Sequence, residues 1–257
     1  MSLLEFWYGL DDRKAFVLAL VSVHFVTLFV YYFFIKVIDN YKLFEQYKII
    51  RDQSPFPDDK LVQSSFVEFV LKTLISQPLS LYFVYPYLVD TFGALSFSGP
   101  IPSVEVILKD FLVFAVIIDT LFYWIHRALH HKYLYKSIHK KHHEFKVNVV
   151  VNTEYAHPLE DTVTNVIPFL IGPILMKSHA VTVILWFFYR MLEALDAHSN
   201  YDFPISHYLF LRSPALHAYH HSHNIGCYGI NFFWDWAMGT DSHYREHIRK
   251  EQAGKKK

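Results

Sequence analysis

Long apolar runs separated by short charged segments dominate the first half of the chain. Ala15 to Val37 is apolar almost throughout, broken midway by His24. A second run, Phe66 to Val89, holds Glu68, Lys72 and Pro78. A third, Val104 to Ile125, carries Glu105, Lys109 and Asp110 near its start and Asp119 well inside. Each approaches the roughly 20 residues that a helix needs to cross a bilayer. The pattern predicts spanning helices over about 15–37, 66–89 and 104–125. Two further stretches, Val163 to Met176 with Pro168 and Pro173, and Ala180 to Leu192, are separated by only three residues. They predict a helical hairpin over about 163–192 that dips into or crosses the membrane and returns to the side it left. The expected fold is all-α, a single membrane-embedded domain over 1–257 in which a helical cap sits on the spanning helices.

Charge adds an orientation. Lys42, Lys48, Arg51 and Lys60 lie between the first two runs, whereas Asp90 to Ser103 contains no Lys or Arg. Arg127, Lys132, Lys136, Lys140, Lys141 and Lys146 follow the third run. The excess of basic residues in cytoplasmic loops places 39–65 and 126–162 in the cytosol and 90–103, with the N-terminus, on the lumenal side. The hairpin then returns everything from Glu193 onward to the cytosol, where the basic tail (Arg245, Arg249, Lys250, Lys255, Lys256, Lys257) also fits. The composition, 53% hydrophobic and 18% aromatic with 24 basic and 24 acidic residues, agrees with a membrane protein. Zero net charge and the lack of a basic patch interleaved with aromatics argue against nucleic acid as a partner. A lone cysteine, Cys227, excludes an intramolecular disulfide framework and a zinc ribbon. No cleavable leader is expected, since Asp11, Asp12, Arg13 and Lys14 precede the first run and no small-residue cleavage site follows closely.

Histidine carries the chemistry. Of 17 histidines, all but His24 lie between positions 126 and 247. His126-Arg-Ala-Leu-His130-His131 puts two imidazoles one helical turn apart. His139-Lys-Lys-His142-His143 and His217-Ala-Tyr-His220-His221 share a second spacing, i, i+3 plus an adjacent residue. Imidazole suits iron, zinc, copper and nickel, so residue type alone does not choose the metal. Three such boxes on one side of a membrane make a metal site the favoured reading. No Gly-x-Gly-x-x-Gly fingerprint, phosphate-binding loop or Cys-x-x-Cys-His haem attachment is present.

The boxes resemble those of the fatty acid hydroxylase superfamily, from about Asp119 to Tyr244. The pattern is nearest to C-4 methylsterol oxidases in Ile138-His139-Lys-Lys-His142-His143-Glu144-Phe145, in Glu154-Tyr155-Ala156-His157-Pro158-Leu159-Glu160, and in the closing Trp234-Asp235-Trp236 and Gly239-Thr240-Asp241. His198-Ser199-Asn200-Tyr201 stands where the family has His-Ser-Gly-Tyr, and His217-Ala218-Tyr219 replaces His-Asp-Phe. The resemblance implies ten histidines over two irons: His126, His130, His139, His142, His143, His217, His220 and His221 from the boxes, with His157 and His198 outside them. His131 could stand in for His130. His223, His243 and His247 are expected at the surface, and His24, His179 and His207 in structural roles.

Soluble di-iron enzymes use paired Glu-x-x-His motifs in a four-helix bundle. This chain has one, Glu154 to His157, so carboxylates are better cast as holding the free ring N–H groups of the ligands. Asp119, seven residues before His126 on the same helical face, is the candidate to hold His126. Asp196 and Glu160 are weaker ones.

The resemblance further implies oxidation of the C-4 methyl group of a sterol precursor with dioxygen. Electrons would come from a cytochrome b5-type donor fed by an NAD(P)H reductase. The setting would be the endoplasmic reticulum membrane, with a possible sterol-demethylation complex around the enzyme. A sphingolipid or sterol side-chain hydroxylase, a sterol desaturase, and a histidine-rich membrane metal-binding protein without oxygenase activity are the alternatives.

Overall fold

The computed structural model describes residues 9–50 and 56–254. Arg51 and the tail lysines Lys255, Lys256 and Lys257, counted above among the cytosolic charges, lie outside the described residues. Among the described residues there is no strand, only an isolated bridge between Lys48 and Tyr201. Five long helices make the body: α1 (Asp12–Asn40), α2 (Asp59–Phe92), α3 (Val104–Leu129), α4 (Pro158–Met176) and α5 (Ala180–Ala197). Four shorter ones follow: α6 (Pro204–Leu209), α7 (Pro214–His223), α8 (Phe232–Met238) and α9 (Ser242–Gly254).

Local chemistry sets the helix starts. The first-turn amides that have no partner within the helix are taken up by short polar side chains. Asp11 accepts from the Lys14 N–H, Asp58 from Leu61 and Ser103 from Val106. Proline at the first position opens α4, α6 and α7, where its missing N–H costs no hydrogen bond. Helix α2 stops at Gly93, whose left-handed φ of +64° carries no Cβ penalty. Two of the long helices contain a π turn, Lys72–Ser76 in α2 and Thr162–Val166 in α4.

Helices α1, α2 and α4 are long and apolar enough to cross a membrane. Helix α3, expected as the third span, is 26 residues long but carries Glu105, Lys109, Asp110 and Asp119. Its outer side is nonetheless an apolar stripe: Val104, Leu108, Leu112 and Val116 are 61% to 72% exposed, while Asp110, Asp119 and His126 face inward. Apolar outside and polar inside is the arrangement that lipid favours. The α4–α5 turn meets the α2–α3 turn: the Leu95 N–H donates to Ser178 O at 2.8 Å and the Ala180 N–H to Ser96 O at 2.9 Å. The Ser178 hydroxyl closes this end by donating to Asp110 at 2.6 Å. Helices α4 and α5 therefore extend from these turns toward the end where Glu160 and His198 lie.

Two apolar clusters stack along α1. Phe16 and Leu20 pack with Tyr85, Leu88 and Val183 near the turns, and Leu28, Ile35 and Ile38 pack with Phe69, Met191, Leu195 and Tyr201 toward the opposite end. A third cluster, Phe114, Ile118, Trp186 and Ile230, joins α3 and α5 to the segment before α8. Between α1, α2 and α4 lies a chain of charged and polar groups. Lys72 Nζ donates to Glu154 at 2.6 Å and pairs with Asp161 at 2.8 Å, while the His24 ring sits between Gln77 and Glu154.

Candidate metal centre

The end of the bundle away from these turns is where the histidines gather. The last turn of α3 supplies His126 and His130, and α5 ends on His198. Between them a π turn over Tyr135–His139 and a short turn over His142–Glu144 place His139, His142 and His143, and α7 adds His217, His220 and His221. They form two groups. His126, His130, His139, His143 and His220 converge in one, and His142, His198, His217 and His221 in the other, with the ligand atoms of each group within 4.8 Å of one another. The pairing within groups follows i, i+4 (126 with 130, 139 with 143, 217 with 221) rather than the i, i+3 spacing that the sequence made conspicuous. Consecutive residues on a helix point about 100° apart. This is why the adjacent His142 and His143, and likewise His220 and His221, serve different groups.

The imidazoles turn their Nε2 atoms inward. His139 Nε2 lies 3.1 Å from that of His126 and 2.9 Å from those of His130 and His143. His130 and His220 are 3.1 Å apart through the same atoms. In the second group His217 Nε2 is 2.9 Å from His198 and 3.1 Å from His221. In six of the nine the other ring nitrogen is committed outward. Nδ1 of His126, His142, His198, His220 and His221 donates to the carbonyl of Tyr228, Tyr155, Ala194, Gly226 and Phe145 respectively, and Nδ1 of His139 donates to Glu160 at 2.7 Å. In these six rings the proton is held outside, so the Nε2 presents a lone pair. Burial pushes the His139 and His198 imidazoles down to about 3, with His142 adding to the effect at His198. Burial, then the neighbouring imidazoles, holds His217, His220 and His221 well below the ordinary histidine range. All stay neutral near pH 7, as metal ligands must.

Neutral lone pairs facing one another near 3 Å repel unless a cation lies between them. Two ligands at right angles on an ion about 2.1 Å away would be about 3.0 Å apart, which is the separation seen here. The donor set therefore fits two metal ions, one per group.

Nine of the ten expected ligand histidines are brought together. His157 is not: it is half-buried at the start of α4, where its Nδ1 accepts from the Leu159 N–H, and it belongs to neither group. A histidine just before a proline-started helix is placed to cap it, and that local demand decides its direction. Of the two adjacent candidates, His130 joins a group and His131 is exposed. Asp119 does not hold His126. It accepts from the Asn231 N–H at 2.9 Å, because α3 presents it to the loop before α8 while the Tyr228 carbonyl reaches His126 first. Glu160 is the carboxylate that meets one of the grouped histidines, His139. Asp196 instead accepts from Tyr31 and Ser206, tying α1 and α6 to α5. Glu154, of the single Glu-x-x-His match, turns away to Lys72. His223 is exposed, and His179 caps α5. The carbonyl acceptors escaped the sequence reading, since every residue has one and only the fold selects five.

Residues 111–240, half the chain, match the fatty acid hydroxylase family. The chain belongs to that family. Among curated members, human fatty acid hydroxylase domain-containing protein 2 is 34% identical over 202 residues, 78% of this chain and 58% of that protein. Rat methylsterol monooxygenase 1 is 42% identical over 147 residues, 55% of this chain and 50% of its own length. Very-long-chain aldehyde decarbonylase GL1-11 of Oryza sativa subsp. indica is 39% identical over 172 residues, 62% and 64% of the two chains. The chain thus spans from half to somewhat under two thirds of these members of the fatty acid hydroxylase family. No solved structure matches it.

Proposed function

We propose that this fatty acid hydroxylase family member is a membrane monooxygenase that oxidises the C-4 methyl group of a sterol precursor. The observation that carries the oxygenase part is the convergence of nine histidines, eight of them buried, into two adjacent groups with ring nitrogens facing inward. The sterol assignment draws on the Glu154-Tyr155-Ala156-His157-Pro158 stretch and on the similarity to methylsterol monooxygenase 1. Two irons held by these groups would supply dioxygen activation and removal of hydrogen from an unactivated methyl group. The chain's own contribution is to hold the imidazoles neutral, to fix their ring planes from outside, and to exclude water around them.

The site lies at one end of apolar helices, so a lipid can reach it from the bilayer without entering water. By the positive-inside pattern that end faces the cytosol, and the membrane is that of the endoplasmic reticulum. Electrons come from a cytochrome b5-type donor and an NAD(P)H reductase, and a sterol-demethylation complex takes the product onward.

The rice relative supports a second reading, a long-chain aldehyde as substrate. Expression in a sterol auxotroph blocked in C-4 demethylation tests both, with sterols and long-chain aldehyde products followed by mass spectrometry. Restored growth with C-4 alcohol, aldehyde and acid products is expected. Unchanged sterols together with loss of long-chain aldehyde would replace the sterol reading with the second one. No lipid oxidation despite full metal loading would point to a non-enzymatic metal-binding protein.

A further inference from the structure

The closing Trp234-Asp235-Trp236 and Gly239-Thr240-Asp241 stretch contains no ligand, yet Asp235 is buried and both its oxygens are used. Its Oδ1 accepts from the Tyr228 N–H at 2.8 Å and the Thr240 hydroxyl at 2.6 Å, and its Oδ2 accepts from the Gly229 N–H at 2.7 Å. Thr240 also accepts, through its carbonyl, from the Cys227 N–H at 3.2 Å. Asp119 holds the next part of the loop by its bond to Asn231. Every pin lands on residues 227–231, the segment whose Tyr228 carbonyl meets His126 Nδ1 and whose neighbouring Gly226 carbonyl meets His220 Nδ1.

The fit leaves no slack. Gly226 has φ +63°, and a Cβ there would lie 2.2 Å from the Thr240 carbonyl oxygen. The clamp is also braced against the helix that carries His126 and His130. Thr240 Oγ1 is 3.1 Å from the Tyr123 hydroxyl, Trp234 stacks on Tyr123 with ring centroids 5.9 Å apart, and its indole N–H donates to Thr120.

His126 and His220 belong to the same group of five. The outward acceptors of the four-histidine group, the carbonyls of Tyr155, Ala194 and Phe145, come from other parts of the chain. We infer that Asp235, with Thr240, is a positioning residue for the five-histidine centre alone, orienting two of its ligands through the backbone carbonyls of the 226–231 loop. The two centres are thus supported by separate parts of the fold, and one can be weakened without the other. This rests on the two-metal reading proposed above.

The test uses the full chain purified in detergent, stripped of metal and titrated anaerobically with ferrous iron, with iron per chain counted at each step. His220→Ala and His198→Ala identify the five- and four-histidine equivalents. Asp235→Asn puts an NH₂ group against a backbone N–H, and Thr240→Val removes the hydroxyl. Each is expected to weaken the five-histidine equivalent by about 10–100-fold, the usual effect of disturbing a ligand's outer partner, and to keep the other at wild-type affinity. Thr240→Ser, which retains the hydroxyl, should load as wild type does. A wild type that binds two irons while the variants lose both alike, or neither, overturns the inference and leaves the two-metal reading standing. A wild type that binds only one overturns both. Because the retained equivalent is itself a measure of folding, a collapsed variant cannot imitate the expected result.

Discussion

His139 is the hub of the five-histidine group, with Nε2 within 3.1 Å of three other imidazoles and Nδ1 on a buried carboxylate. His139→Ala is therefore expected to empty that centre and abolish turnover, whereas His131→Ala and His157→Ala should leave iron content at the wild-type level. Iron per chain and oxidation rate, measured on the same preparations, decide between these outcomes. Glu160→Gln keeps an acceptor oxygen for the His139 N–H but loses the charge that raises ligand basicity, so a loss of about 10–100-fold in iron affinity is expected. At this scale the sequence was informative about which histidines converge and poor about what orients them. Box histidines declare themselves by spacing, because a metal needs several imidazoles within reach of one point. Asp119 shows the limit: helical periodicity placed it correctly on the inward face of α3, but not which of two inward neighbours it would meet. His157 shows a different one, since its capping bond competes with any pull toward the metals.

Between elements, the chain from His24 through Glu154 and Lys72 to Asp161 ties α1, α2 and α4 to the short turn Val150–Glu154, just ahead of Tyr155, whose carbonyl holds His142. Burial alone would push the Glu154 carboxyl up. The Lys72 ammonium and the His24 ring outweigh it and hold the group well below the usual carboxylate range. Glu154→Gln leaves Lys72 with Asp161 as its only carboxylate partner among the described residues, so a stability loss of about 2 kcal/mol is expected, the scale of a hydrogen bond to a charged group. Thermal unfolding in detergent reads it, and an unchanged midpoint would show the chain to be incidental to packing. The helix starts at Asp11, Asp58 and Ser103 follow from the residues themselves, but the π turns that bring Lys72 and Asp161 to Glu154 do not. A π turn inserts one residue into a helix without any composition of its own, and tertiary contacts decide where it falls. For the same reason Lys72 could be read only as a blemish in an apolar run.

For the molecule as a whole, apolar run length and loop charge were enough to foresee an all-helical membrane protein with every histidine box at one end. The long connection from α3 to α4 and the segment after α5 emerge together, so the boxes meet although about 90 residues separate the first from the last. The charges within α3 do not interrupt its apolar outer face, because the fold turns Asp110 and Asp119 inward and leaves an apolar stripe outside. The arrangement makes a sidedness prediction. Positions near the α2–α3 and α4–α5 turns, such as Ser98 and Lys177, lie at one end of the bundle, and Lys136 and Ser242, on the histidine side, lie at the other. Cys227 is the chain's single cysteine and is buried, so introduced cysteines can be labelled against a low background. In sealed microsomes a membrane-impermeant thiol reagent should modify Lys136→Cys and Ser242→Cys at once, and reach Ser98→Cys and Lys177→Cys only after the membrane is opened. Labelling of all four from outside would mean that the helices do not span. Labelling of Lys136→Cys but not Ser242→Cys would put α7 and its three ligands across the membrane from the other boxes, a placement that the two mixed histidine groups do not allow.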